Sequence, residues 1–180
     1  KKLAAFSRLS RKAVRIVQYH GNNRLEMLRD ESIPAGYAIS FENLIVYIEA
    51  LLPSREVIDG ALRKTVKAYP NLAIREIVAN ALIHQDFSLT GMGPVIEIFP
   101  NRMEVANPGT LLVDVWRIID NPPKSRNEKL AALMRRMHIC EELGTGWDKI
   151  VLTSEAAHLP APKINTYEEN TKVTLFSEIK

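Results

Sequence analysis

Glu76, Asn80 and His84 stand at i, i+4 and i+8 of one continuous segment, and no other trio in the chain is better spaced for chemistry. Side chains four apart on a helix are neighbours, so a helix over residues 72–85 stacks all three along one side. A carboxylate there can orient or deprotonate a water, and an amide oxygen suits a hard cation such as Mg2+ that keeps water and phosphate in its other positions. The same spacing also fits a solvated face, with Glu76 paired to Arg75 or to a neighbouring helix and Asn80 open to water. Ala73, Ala79 and Ile83 set the segment apart, because they make the helix apolar almost all round and such helices are buried on both sides. A buried carboxylate and amide then need partners, which a ligand or ion can supply.

Two glycine-bearing turns follow. Asn107-Pro108-Gly109 ends a strand pattern and lets the backbone approach another group closely, while Gly144-Thr145-Gly146 precedes a helix whose first amides could face an anion. Each also reads as a plain turn or helix boundary. Other chemistries lack their spacing: His20, His84, His138 and His158 lie far apart beside the single Cys140, so no zinc pattern forms. Neither a Gly-x-Ser-x-Gly elbow nor a Gly-x-x-x-x-Gly-Lys-Ser/Thr loop is present. Trp116 and Trp147 read as core or pocket-wall aromatics.

The elements that would position these groups alternate in type. Residues 13–19 and 25–28 read as a hairpin broken by Gly21-Asn22-Asn23. A helix of about three turns follows Gly36, with Ser40 as N-cap and Pro53 as stop. Two short strands are expected over residues 54–67, then the helix to Gln85 with Asn71 as N-cap. Residues 95–99 and 102–105 form a hairpin. A short helix at residues 114–119, a Pro-rich linker at Asn121-Pro122-Pro123, a helix over 127–137 and another from Gly146 to about Ala157 come next. Strands over residues 163–167 and 172–176 close the chain. Strands paired as hairpins, without regular βαβ units, predict an α+β class: a two-layer α/β sandwich with a mixed, mainly antiparallel sheet. The expected division is a linking segment over residues 1–70, packed on a main domain over 71–180.

Composition sets outer bounds. The 180 residues are 46% apolar and 25% charged with one cysteine, an ordinary globular profile that argues against disorder and for a reducing, cytoplasmic setting. No window approaches the roughly 18 apolar residues of a membrane helix. The start, Lys1-Lys2-Leu3, has neither an initiator Met nor a signal-peptide core, as in a fragment of a longer protein. A net charge of +3 with dispersed basic residues permits contact with nucleic acid without requiring it.

Taken in order, residues 75–88, with their Glu-x-x-x-Asn-Ala-x-x-His pattern, the hairpin into Asn107-Pro108-Gly109, and Glu141-Glu142-Leu143-Gly144-Thr145-Gly146 resemble the C-terminal region of RecG-related ATP-dependent DNA helicases of bacteria. The resemblance covers roughly residues 72–176 and implies a GHKL-type ATPase fold. It implies ATP and Mg2+ as cofactors, with Glu76 as the base that orients water and Asn80 as the Mg2+ ligand, His84 beside the nucleotide, Asn107 and Gly109 at the purine end, and Gly144, Thr145 and Gly146 at the phosphates. It also implies that DNA is contacted through an upstream Schlafen-type, Alba-like domain that this chain lacks, in a transcriptional regulator with no membrane attachment that can form a homodimer. GHKL pockets usually offer an Asp to adenine where this chain has Asn107, and no helicase motor motif occurs here.

Two other readings compete. Residues 127–137, the turn through Gly144, the helix to Ala157 and the last strand pair outline a winged-helix DNA-binding module, with Arg135, Arg136, Lys149 and Lys172 toward phosphate. Glu141 and Glu142 would then sit beside the DNA. A degenerate ATPase-like fold serving dimerisation or sensing is the third.

Overall fold

The computed structural model describes residues 3–59, 62–112, 125–140 and 146–177. Two 3-10 turns (Leu3–Ala5 and Ser7–Lys12) lead into β1 (Val14–Tyr19) and β2 (Met27–Ile33), then α1 (Tyr37–Leu51), β3 (Ser54–Asp59), β4 (Leu62–Lys67) and α2 (Asn71–His84). The hairpin β5 (Val95–Ile98) and β6 (Arg102–Pro108) follows, then α3 (Glu128–Arg136), α4 (Gly146–Ala156), β7 (Lys163–Thr166) and β8 (Asn170–Phe176). Six strands form one sheet in the order β2-β1-β5-β6-β8-β7, while β3 and β4 pair apart as a two-stranded ribbon. Only β1 and β5 run parallel. The long connection through α1 and α2 lets β1 and β5 run the same way, as parallel pairing requires a crossover.

Alternation along the strands explains the two layers. On one face, Ile16, Ile96, Val105 and Val173 form a continuous apolar row across β1, β5, β6 and β8. This row meets Phe41, Leu44 and Ile48 of α1 and Ile74, Ile77 and Leu82 of α2 in a single core. The other face pairs Glu97 directly with Glu104, a repulsive arrangement that three cations offset. Arg24 donates to both carboxylates, Arg102 to Glu104 at 2.6 Å, and Lys172 to Glu104 at 3.1 Å. Burial pushes the Glu104 carboxyl up, but the Arg102 and Lys172 bonds outweigh it and hold the group below the usual carboxylate range. Strand β8 is therefore an inner strand, hydrogen-bonded along its length to β6, rather than a projecting wing, and Lys172 is spent on Glu104.

The class read from the sequence, α+β in two layers with a mainly antiparallel sheet, is the one observed. Details shift. Helix α1 begins three residues before Ser40 and runs for 15 residues, so Ser40 does not cap it; its Oγ bonds back to the Gly36 carbonyl inside the first turn. Pro70 rather than Asn71 precedes α2, since proline cannot donate a backbone hydrogen bond and suits a helix entrance. Strand β2 extends to Ile33 because its later residues pair with β1; a register shift between Gln18 and Tyr19 bulges it near Leu28. That bulge and the charged run Arg29-Asp30-Glu31 guard an edge that would otherwise invite pairing. The expected helix at residues 114–119, the Pro-rich linker, Gly144 and Thr145 lie outside the described residues.

Candidate functional site

Helix α2 is buried on both sides, as its all-round apolar composition predicts: nine of its residues, Glu76 among them, are shielded from solvent. Arg75 does not partner Glu76. Its guanidinium forms a bidentate pair with Glu42 of α1 at 2.9 Å and lies over the Phe41 ring.

The polar side of α2 instead faces the start of α4. A Cβ placed on Gly146, the first residue of α4, would lie 2.9 Å from Glu76 Oε2 and 3.2 Å from Asn80 Nδ2. Only glycine lets the two helices approach so closely with a carboxylate and an amide between them. Glu76 is 8% exposed, whereas Asn80 is half-buried. The carboxylate thus lies against the positive end of an 11-residue helix, an arrangement the helix dipole favours.

Eight residues from Glu76, or about 12 Å along the axis, α2 ends in a second cluster. Gly109 has φ of +104°, and its Cβ position would meet Asp86 Cβ at 3.0 Å and the Asp86 nitrogen at 3.1 Å. The Asp86 N–H donates to the Pro108 carbonyl at 2.7 Å, the Gly109 N–H to the Glu169 carbonyl, and the Thr171 hydroxyl to the Gly109 carbonyl. Asn107 is buried, and its amide donates to the Pro108 carbonyl at 3.1 Å. Arg126 ties this turn to α3. Its Nη1 reaches Asp86 at 3.2 Å and its Nη2 the Thr110 carbonyl at 2.9 Å, while its Nε is buried without a partner among the described residues. Next to it, the Asn127 amide donates to the Ile83 and Gln85 carbonyls at 2.7 Å each, satisfying the open end of α2 from outside.

The sequence-derived candidates therefore fall into two groups at opposite ends of α2: Glu76, Asn80 and Gly146 at one, and Asn107 and Gly109 at the other. His84, the last residue of α2, belongs with the second group. Burial lowers its imidazole pKa, and the charge of Arg126 lowers it further. Sequence reasoning missed Asp86, Arg126 and Asn127. Asp86 follows the motif directly and could have been noted there, but nothing in the spacing ties residues 126 and 127 to α2.

Because the native pKa of His84 lies below the usual 6.5, the unfolded chain takes up a proton that the folded chain refuses. Stability is constant above about pH 6.5 and falls as pH drops from there toward the native value. Urea midpoints from pH 7.5 to 5 should show this loss, and His84→Gln should flatten it; an unchanged slope in the variant would assign the loss to other groups.

Among the described residues no cluster of three His, Cys, Asp or Glu side chains could hold a metal unaided. A cation that brings phosphate ligands of its own fits better, because Mg2+ often takes one protein group plus phosphate and water. A separate groove of 650 Å3 lies elsewhere, between the start of α1 and α3, and neither Glu76 nor Asn80 lines it.

Residues 91–175 match the family described as "Putative ATP-dependent DNA helicase recG C-terminal". The matched stretch runs from just before β5 to near the end of β8, so it contains Asn107, Gly109 and Gly146. It is shorter than the resemblance over residues 72–176, and α2 with Glu76, Asn80 and His84 precedes it. The fold is similar to that of the DIP2311 protein from Corynebacterium diphtheriae, at a TM-score of 0.82 and 20% identity over 94% of this chain. The chain spans 35% of that protein's chain. No curated protein matches it. No helix among the described residues is long and apolar enough to cross a membrane.

Proposed function

We propose that the polar side of α2 is a nucleotide site, taking ATP or ADP with Mg2+, in a cytoplasmic regulatory domain of a larger DNA-associated protein. The observation that carries this reading is the Gly146 contact: the missing side chain leaves a cradle bordered by Glu76 Oε2 and Asn80 Nδ2 at the first turn of α4. A helix start beside a carboxylate and an amide is suited to a magnesium-bound phosphate. The match of the following segment to a family described as ATP-dependent supports the same ligand.

In this reading Asn80 offers its amide oxygen to the cation, Glu76 orients water, and Gly146 with Gly144 and Thr145 receives phosphate. Asn107, Gly109 and His84 border the purine end. When bound, Mg2+ neutralises phosphate charge. Hydrolysis is slow, since the acceptor usually offered to adenine is replaced by Asn107, whose amide is engaged with the Pro108 carbonyl. DNA contact and transcriptional regulation are assigned to the longer protein.

Calorimetry with ATP or ADP and Mg2+ tests the site. Asn80→Ala should weaken binding by about tenfold or more, matching the loss of one charge-assisted contact. Gly146→Ala should act similarly while costing less than about 1 kcal/mol of stability, because the atoms its methyl meets are the ends of flexible side chains. No response of the native chain at millimolar nucleotide would leave the α2–α4 contact as a structural seam, as in a degenerate ATPase-like domain.

A further inference from the structure

The 650 Å3 groove is separate from the α2–α4 contact and independent of the nucleotide reading. Its walls are apolar: Leu9 of the second 3-10 turn, Ile39 of α1, Phe87, and Leu130 and Leu133 of α3. Ile39 is 77% exposed and Leu133 46%, although both sit on helices whose other faces are packed in the core. Such large exposed apolar side chains around one concavity mark a binding surface.

The charges at its rim choose the kind of ligand. Arg126 and Lys129 line the groove, with Glu128 as the single carboxylate among the lining residues. The Arg126 Nε is shut off from solvent without an acceptor among the described residues, although the same guanidinium holds Asp86 and the Thr110 carbonyl. Helix α3 also begins beside the groove without a side-chain cap, because the Asn127 amide is spent on the carbonyls at the end of α2. An uncapped first turn presents unsatisfied N–H groups and the positive end of the helix. Positive potential from two cations and a helix start meets apolar walls in one cavity. Its size lies within the roughly 300–1,000 Å3 typical of small-molecule sites, whereas a docking helix would need a longer trough.

We infer that this groove binds a small amphipathic anion: an apolar chain or ring against Ile39, Phe87, Leu130 and Leu133, with a carboxylate toward Lys129, Arg126 and the first turn of α3.

Sodium decanoate, decanol and decyltrimethylammonium serve as probes, each titrated below its micellar concentration into the full chain and followed by calorimetry and amide NMR shifts. Decanoate is expected to bind saturably, one per chain, at submillimolar concentration. It should bind about tenfold more tightly than decanol, and the cationic probe should not bind. Lys129→Glu and Leu133→Glu, both at exposed positions, should each weaken decanoate by about tenfold with melting unchanged. Equal affinity for the three head groups, absence of saturation, or binding indifferent to both substitutions would overturn the inference. So would concentration-dependent self-association that Leu133→Glu abolishes without any probe, since a second copy would then be the occupant.

Discussion

Gly109→Ala should lower the unfolding free energy by about 3 kcal/mol, roughly 6–12 °C in melting temperature for a chain of this size. Two independent costs combine. A φ of +104° is open to glycine and strained for any residue with a Cβ. The added methyl would also lie 3.1 Å from the backbone nitrogen and 3.0 Å from the Cβ of Asp86, atoms that cannot swing away as a side-chain tip can. Relief requires the β6 end and the α2 end to part, which breaks the Asp86 N–H bond to the Pro108 carbonyl and disturbs the Arg126 pair. The contrast with Gly146→Ala is the informative part. Both glycines are closely approached, but Gly146 faces flexible carboxylate and amide ends, so its substitution should mainly alter ligand binding. Thermal melts of the two variants side by side check this, and a Gly146→Ala loss as large as that of Gly109→Ala would show that Glu76 and Asn80 are locked in place.

Lys12→Met should cost about 2–4 kcal/mol, the second large effect. Lys12 is almost fully buried, and its ammonium donates to the Asp86 carbonyl at 2.9 Å and the Leu89 carbonyl at 2.7 Å. Burial lowers its pKa, and nearby Asp86 raises it in partial compensation. Methionine keeps the apolar stem against Phe87 but leaves both carbonyls without their donor. The same junction includes Tyr37, whose hydroxyl donates to the Lys12 carbonyl and accepts from the Gln85 amide, so the loss should spread to the segment after α2. Amide hydrogen exchange should show residues 85–89 opening more readily in the variant. A urea midpoint within experimental error of the native chain would refute the assignment.

Both predictions concern the segment just beyond α2, and that is where reading the chain in order stopped being informative. Local periodicity was enough for the strong elements. The apolar spacing of residues 74–82 requires a helix buried all round, and the alternation of residues 95–105 requires a hairpin, because each pattern has only one way to put its apolar side chains out of water. Helix entrances were harder: Ser40 and Asn71 both suit an N-cap, but backbone geometry placed Gly36 and Pro70 there.

The candidate residues were legible to the same degree. Type and spacing alone put Glu76, Asn80 and His84 on one helix and marked Asn107, Gly109 and Gly146 as places of close approach. Only the tertiary structure decided which of these meet. Folding set Gly146 against Glu76 and Asn80, sent Asn107 and Gly109 to the other end of α2, and recruited Arg126, Asn127 and Lys12 from segments distant in sequence. The physical reason is range: side-chain periodicity reports which face of an element is buried, whereas the partner across that face is fixed by how α3, α4 and β6 close around α2, through contacts dozens of residues apart.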